Sequence, residues 1–504
     1  MAAQRCPLTV TLRGTLAALA LALLGTSDAA VGASAGVAGG QRPAQRNQEP
    51  PLRVSEPVDD IIFDLQTYIP ARMRQAGVPG LTISLIRDYR VVWTAGFGVA
   101  NRITRTPVTP ATAFEVASNS KVVTTYAALH LVDQGRLSLD QPVATYLTDP
   151  WLPPARHAGV ITLRQLASHS SGLSDNLFPL DKSIAFQPGT DFLYSGVGAL
   201  YMQEVIEQVT GESLEQAARD LVFEPLDMLS SSFVNTPDIL RRMANGHMTC
   251  IFPLLAFLIP FVGLLVAILL VGVPFVRLST GQWHPPRKMW LGILTVAVVL
   301  TLLLQGVVIG TTLPNLTLFS LVCALVFALS FILALMITRR LLALAFTRRP
   351  KAGPHRVLNV IVAVVAAIVL LRFSASLSVP IPRIPSPGPS AVGSLRTTAL
   401  DLANFLIELV NPRFLTRSLA AQIRTPQIRI DDDFSWGLGI GIQHSEQGDA
   451  LWQMGMTFGF KSVMVIYPSS GWGIVVLTNS DDGLPVAYDI AARALGGKAR
   501  WEFF

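Results

Sequence analysis

The middle of this chain is not built for water. Residues 247–380 hold ten Lys/Arg and no Asp or Glu, and four apolar stretches follow one another there: 252–276, 290–310, 316–338 and 357–371, the last extendable to 377. About 20 apolar residues in a helix cross a bilayer, so the pattern predicts four membrane-spanning helices. Pro253, Pro260 and Pro274 are tolerable in such helices, and Arg372 is placed to snorkel to the surface. The loop at 277–289 carries Arg277, Arg287 and Lys288, and the loop at 339–356 carries Arg339, Arg340, Arg348, Arg349, Lys351 and Arg356, whereas 311–315 has no charge. Positive loops mark the cytoplasmic side, so the chain enters from outside and returns there. Residues 57–246 and 381–504 then share one extracytoplasmic compartment, and His247 and Pro380 must lie close together if the two halves make one domain. Gln305 is the most polar group inside the stretches; without an ionisable residue there, the reading is an anchor in the lipid bilayer rather than a transporter.

This segment also explains the composition. The chain has 504 residues, 51% of them hydrophobic and 14% charged, against about 25% charged in a soluble domain. The formal net charge of +6 suggests a polyanion partner. Removing the segment's ten from the 39 Lys/Arg leaves 29 against 33 Asp/Glu, a net of −4, so no nucleic-acid partner is expected. Three cysteines exclude a disulfide scaffold and a Cys-rich zinc site. None of the seven histidines has metal-ligand spacing, Asp431, Asp432 and Asp433 read as a solvated loop, and no cofactor loop is evident.

At the N-terminus, Arg5 and Arg13 flank the start of an apolar run at 16–24, followed by small residues around Ala29 and Ala33. That is a secretory leader over 1–35, with a Gly/Pro-rich linker over 36–56. Apolar spacing predicts helices over 57–76, 119–134, 196–209, 213–222, 397–410 and 485–495. Strands are predicted over 81–86, 91–97, 436–443, 449–453, 459–467 and 472–478. Strands at both ends with helices between them imply one α/β (α+β) domain, its antiparallel sheet built from both ends of the sequence and its halves at 57–246 and 381–504.

Ser118 and Lys121 open one of these helices, one turn apart on the same face. The positive end of the helix dipole favours an oxyanion near Ser118 and disfavours an ammonium at Lys121, which would suit a Ser–Lys nucleophile pair. The spacing alone is equally that of a helix cap, with Ser118 or Ser120, followed by a solvated lysine.

Several segments in order carry more information. They are 111–121 (ATAFEVASNSK), 161–173 (ITLRQLASHSSGL), 186–196 (FQPGTDFLYSG), 209–213 (VTGES), 223–228 (FEPLDM), 393–405 (GSLRTTALDLANF) and 459–480. Together they resemble the serine beta-lactamase and penicillin-binding-protein-like hydrolases, over about 57–246 and 388–496. The resemblance implies a beta-lactamase/transpeptidase-like fold, here interrupted by the membrane segment, and an acyl-enzyme mechanism without a cofactor. It makes Ser118 the nucleophile, Lys121 its base and Tyr194 a second base. Gly196 stands where the family has Asn, and Gln453 stands where it has Lys or His ahead of Gly455. The backbone N–H groups of Ser118 and Met456 would form an oxyanion hole. Trp452 and Phe458 flank this edge and offer an apolar acyl pocket, while His169 is expected to pack. The expected partner is a small-molecule or cell-wall-derived acyl substrate, cleaved at an ester or amide. The departures at Gly196 and Gln453 leave an alternative: a catalytically impaired receptor that binds a ligand and signals through the membrane helices.

Overall fold

The computed structural model describes residues 49–177, 179–249, 378–380 (backbone only) and 388–501. Among them no helix is long and apolar enough to cross a membrane. The four apolar stretches and the leader at 1–35 lie outside the described residues.

The first element is helix α1 (Val58–Ala76), which buries Ile61, Leu65, Ile69 and Met73, one residue per turn along a single stripe. It ends at Gly77, whose positive φ of 69° lets Val78 N–H reach the Met73 carbonyl at 3.0 Å. Strands β1 (Gly80–Arg87) and β2 (Arg90–Gly98) form a hairpin around Asp88 and Tyr89. The two-residue strand β3 (Phe114–Glu115) leads into helix α2 (Asn119–Asp133). Helices α3 (Leu163–Ala167), α4 (Gly196–Thr210), α5 (Leu214–Ala218) and α6 (Pro237–Arg242) follow, then strand β4 (His247–Thr249). After the four apolar stretches come β5 (Ser378–Pro380), β6 (Arg396–Thr397), α7 (Ala399–Val410) and α8 (Arg417–Ile423). The chain closes with β7 (Ile428–Arg429), β8 (Phe434–Trp436), β9 (Gly441–Gln443), β10 (Ala450–Thr457), β11 (Phe460–Tyr467), β12 (Trp472–Thr478) and helix α9 (Gly483–Leu495).

The main sheet has the order β2-β1-β12-β11-β10-β9-β8-β7. The sequence's two ends meet at β1 and β12, antiparallel with Leu81 opposite Thr478, as the alternation of strands and helices predicted. β12 is buried along its whole length because both sheet faces are covered. One face packs against α1 and α9 through Leu65, Ile474 and Ile490, among others. The opposite face packs into a larger core shared with α2, α4 and α7.

The ends of the apolar segment meet, as one domain requires. β4 pairs with β5, His247 opposite Pro380 and Thr249 opposite Ser378. This two-stranded neck is the only part of the segment among the described residues.

Three expectations change. The strand predicted over 436–443 is two short strands, β8 and β9, because Gly439 turns the chain at φ 84° and brings its backbone against the Thr125 side chain. Helix α2, expected to bury one face, is buried on all sides from Asn119 to Leu131, since it runs through the core between the sheet and the helical region. The last residues of the expected 36–56 linker are part of the fold: Leu52 pairs with Gly496, and Arg53 bonds Glu56, Asp64 and the Arg493 carbonyl.

The two halves are also tied by polar contacts. Glu408 of α7 is buried, and its carboxylate accepts from Tyr126 Oη of α2 at 2.9 Å and from the N–H groups of Arg413 and Phe414. Tyr126→Phe should lower unfolding free energy by about 1 kcal/mol without changing the fold. Denaturant titration checks this; an unchanged midpoint would mean the bond adds nothing.

Candidate active site

Between β3 and α2 the chain makes a sharp turn, with Ala117 at φ 46°. A left-handed backbone is unusual for a residue with a Cβ, and here it places Ser118 at the mouth of α2. The turn is held to the sheet by Asn119, whose amide donates to Ser462 Oγ of β11 at 2.8 Å, while Ser462 donates to the Val116 carbonyl at 2.9 Å. Ser120 Oγ accepts from Leu395 N–H at 3.0 Å, anchoring the turn to the chain that follows the apolar segment. Ser118 makes no side-chain cap bond. Of the two serines, one locks the turn and the other faces the cleft.

Lys121 reaches back along the same face. Its Nζ donates to Ser118 Oγ at 3.0 Å and to the Val392 carbonyl at 3.1 Å. It also lies 4.9 Å from the centre of the Tyr194 ring. Tyr194 Oη accepts from Gln453 Nε2 of β10 at 3.3 Å, and Gln453 also donates to the Met454 carbonyl at 2.7 Å. The Ser118 hydroxyl and the Lys121 amine are thus in contact, with the Tyr194 ring beside the amine.

Gly455 explains how β10 comes so close. A methyl group there would overlap the Val116 carbonyl oxygen and crowd Ser462 Oγ, so only glycine lets the strand lie against the turn. Met456 is the next residue on the strand, and its side chain is half exposed. Its N–H and that of Ser118 are the expected donors of an oxyanion hole.

At Gly196 the vacated side-chain space is filled from another loop. Gly196 N–H donates to Asp175 Oδ1 at 2.6 Å, and a Cβ there would sit 2.8 Å from that oxygen and 3.3 Å from Leu177. Asp175 caps the positive end of α4 and brings a carboxylate to the site. Nothing in its sequence neighbourhood marks this role, because the contact spans a loop.

His169 was expected to pack, and it supports Tyr194 from below. Its ring centre is 4.3 Å from that of Tyr194 and 5.2 Å from that of Trp436. Its Nδ1 accepts from Ser195 N–H at 3.2 Å. Burial, with the nearby Lys121 charge, pushes its pKa down to about 3, so it is neutral at physiological pH. Trp452, expected at the acyl pocket, is instead buried in the core against Trp436 and Phe434, because it alternates to the opposite face of β10. Phe458 sits exposed at the β10–β11 turn. Asp433 of the acidic loop pairs with Lys498 and Arg500. Among the described residues no group of His, Cys, Asp or Glu is arranged to hold a metal ion.

The fold and this cleft define the class: a sheet closed by both chain ends, flanked by helices, with Ser and Lys at the head of the central helix. The comparisons agree. Residues 65–250 match the family model Beta-lactamase. Protein flp of Staphylococcus aureus (strain MW2) is 25% identical over 201 residues, 36% of this chain and 40% of that protein. The Putative penicillin-binding protein PbpX of Bacillus subtilis (strain 168) is 31% identical over 178 residues, 32% of this chain and 44% of that protein. The chain therefore spans about two fifths of the length of the curated relatives it matches. Among solved structures, the octameric penicillin-binding protein homologue from Pyrococcus abyssi aligns with a TM-score of 0.55 at 20% identity, over 86% of this chain and 76% of that one. EstCE1, a hydrolase with promiscuous acyltransferase activity, aligns at 0.54 and 18%, over 86% and 98%. The D-alanine carboxypeptidase AmpC from Burkholderia cenocepacia aligns at 0.52 and 16%, over 86% and 99%. The chain has the beta-lactamase/penicillin-binding-protein-like fold, and over 65–250 its sequence is similar to the Beta-lactamase family.

Two outcomes follow for the site. Gly455→Ala should push β10 off the Val116 turn, lowering any Ser118-dependent activity about a hundredfold and the melting temperature with it; activity assay and calorimetry on the same sample check this. His169 and His247, whose pKa values burial depresses to about 3 and about 4, stay neutral where the unfolded chain takes up protons. Stability should be constant above about pH 7 and fall as pH drops from about 6.5 towards 4, by up to about 1.4 kcal/mol per pH unit for each histidine. Denaturant unfolding at several pH values measures the slope, and His247→Gln should reduce it.

Proposed function

We propose that this protein is a membrane-anchored, extracytoplasmic serine hydrolase that cleaves an ester or amide through an acyl-enzyme. The observation that carries the proposal is the 3.0 Å contact between Lys121 Nζ and Ser118 Oγ beneath Tyr194. Lys121 takes the Ser118 proton as Oγ attacks the acyl carbonyl, and the developing oxyanion is held by the N–H groups of Ser118 and Met456. Tyr194 relays a proton to the leaving group and, after its departure, activates the water that releases the acyl group. Four apolar stretches supply the anchor, and their loop charges put the hydrolase outside.

The substrate reading rests on charge. Gln453 is a neutral amide where relatives present a cation or imidazole, and Asp175 adds a carboxylate beside Gly196. A substrate carboxylate finds no countercharge at either position, which favours uncharged acyl esters and amides over penicillin-type acids. The hydrolase and carboxypeptidase named among the structural neighbours are compatible with either ester or D-peptide chemistry. The same departures favour a second reading, a receptor that binds such a ligand without turnover.

A fluorophosphonate probe should label the wild-type chain and not Ser118→Ala, and Lys121→Ala should slow labelling by about a hundredfold or more. Equal labelling of wild type and Ser118→Ala would reject the hydrolase; labelling without turnover of any acyl ester or peptide would favour the receptor.

A further inference from the structure

The neck formed by β4 and β5 is bonded directly to the lip of the cleft. His247 N–H points to the Gly459 carbonyl at 3.3 Å and the Asn479 carbonyl at 3.0 Å. Asp481 N–H donates to the His247 carbonyl at 3.0 Å, and Asp481 Oδ1 accepts from Gly459 N–H at 2.7 Å and pairs with Lys461 at 3.0 Å. On the other side, Arg102 N–H donates to His247 Nε2 at 3.2 Å, and Asn245 N–H to the Ala100 carbonyl at 2.9 Å. The β10–β11 turn and the loop at 100–106 therefore flank the point where the apolar segment leaves the domain.

Chain length then fixes the distance to the bilayer. Two residues, Cys250 and Ile251, separate Thr249 from the first apolar stretch at Phe252, and the last stretch extends to Leu377, next to Ser378. The three steps from Thr249 to Phe252 span at most about 10 Å, so no linker holds the domain away from the membrane. The surface around the neck must meet the headgroup region. That surface carries large apolar side chains that water alone does not explain: Phe458 is 75% exposed, Ile103 65% and Met456 50%. Apolar groups clustered at such a place are suited to an interface.

We infer that this lip rests on the outer leaflet, with Phe458 and Ile103 in the headgroup–acyl boundary, and that the substrate is an acyl ester or amide carried by a membrane-partitioned amphiphile. The inference rests on the anchored-hydrolase reading above. It adds that the cleft opens at the lipid surface, because Met456, the expected oxyanion donor, is three residues from Gly459 at the neck. A substrate lying in the leaflet reaches Ser118 without first dissolving in water.

The test uses the full chain in mixed phosphatidylcholine–phosphatidylglycerol vesicles, with Cys6, Cys250 and Cys323 replaced by alanine. An environment-sensitive fluorophore is placed at Phe458→Cys, Ile103→Cys or Phe63→Cys. Phe63 is an exposed control on α1, about 20 Å along that helix from Gly77, whose carbonyl accepts from the Arg102 side chain. Brominated lipids should quench the first two labels and not the third. Separately, Ile103→Asp should lower hydrolysis of a long-chain acyl ester embedded in the vesicles about tenfold and leave a soluble short-chain ester unaffected. Protein that floats with the vesicles but shows no quenching at either lip position overturns the inference and leaves the anchor intact. Failure to float overturns both. An unchanged rate on the embedded ester overturns the substrate class, whereas loss of turnover on both esters in wild type removes the hydrolase reading and leaves quenching to decide the orientation.

Discussion

The site depends on one close approach: β10 lying against the turn that carries Ser118. Gly455 has no side chain to hold the strand away from the Val116 carbonyl, and the Asn119–Ser462 bond fixes the turn to the neighbouring strand. These contacts join residues more than 300 positions apart. They set the Ser118 turn beside the strand whose next N–H is the expected oxyanion donor. Asn119, Ser120 and Lys121 are buried around the turn, and Ser118 is only partly buried.

The same approach explains why an apolar segment of this size can sit inside the domain. The sheet is closed by β1 and β12, far from the segment in sequence, and α7 after the segment covers the sheet face that α2 also meets. The segment leaves through a two-stranded neck whose ends are paired. The buried Tyr126–Glu408 bond and the Ser120–Leu395 bond add cross-links between the halves. The apolar segment and the β10–β11 turn are consequently neighbours in the fold.

Electrostatics narrows the chemistry. The Lys121 amine is in direct contact with Ser118 Oγ, and the residue is buried. His169, beneath Tyr194, stays neutral because burial and the lysine charge both oppose its protonation. A neutral imidazole against the phenol shapes the position of Tyr194 without adding charge. Gln453 donates an uncharged hydrogen bond to Tyr194, and Asp175 places a carboxylate at the start of α4.

Much of this was legible in the sequence because it is periodic or local. The four-residue spacing of Ile61, Leu65, Ile69 and Met73 defines α1, the turn at Asp88–Arg90 defines the first hairpin, and Ser118 and Lys121 share a helical face whatever surrounds them. The resemblance in the ordered segments pointed to Tyr194 and Gln453 as well. What local pattern cannot show is which distant groups meet. Trp452 and Gln453 are adjacent in sequence, yet the strand's alternation sends one into the core and the other to Tyr194. Gly196 reads as a lost amide, and only the folded loop brings Asp175 and Leu177 into its place. The left-handed backbone at Ala117 is set by the turn between two packed elements rather than by alanine's own preference. The sequence by itself determined the elements, their faces and the residues with useful chemistry, because those follow from spacing along one chain. The tertiary structure decided which face is wet, which space is filled and which lip adjoins the neck, because those depend on contacts between segments that spacing does not relate.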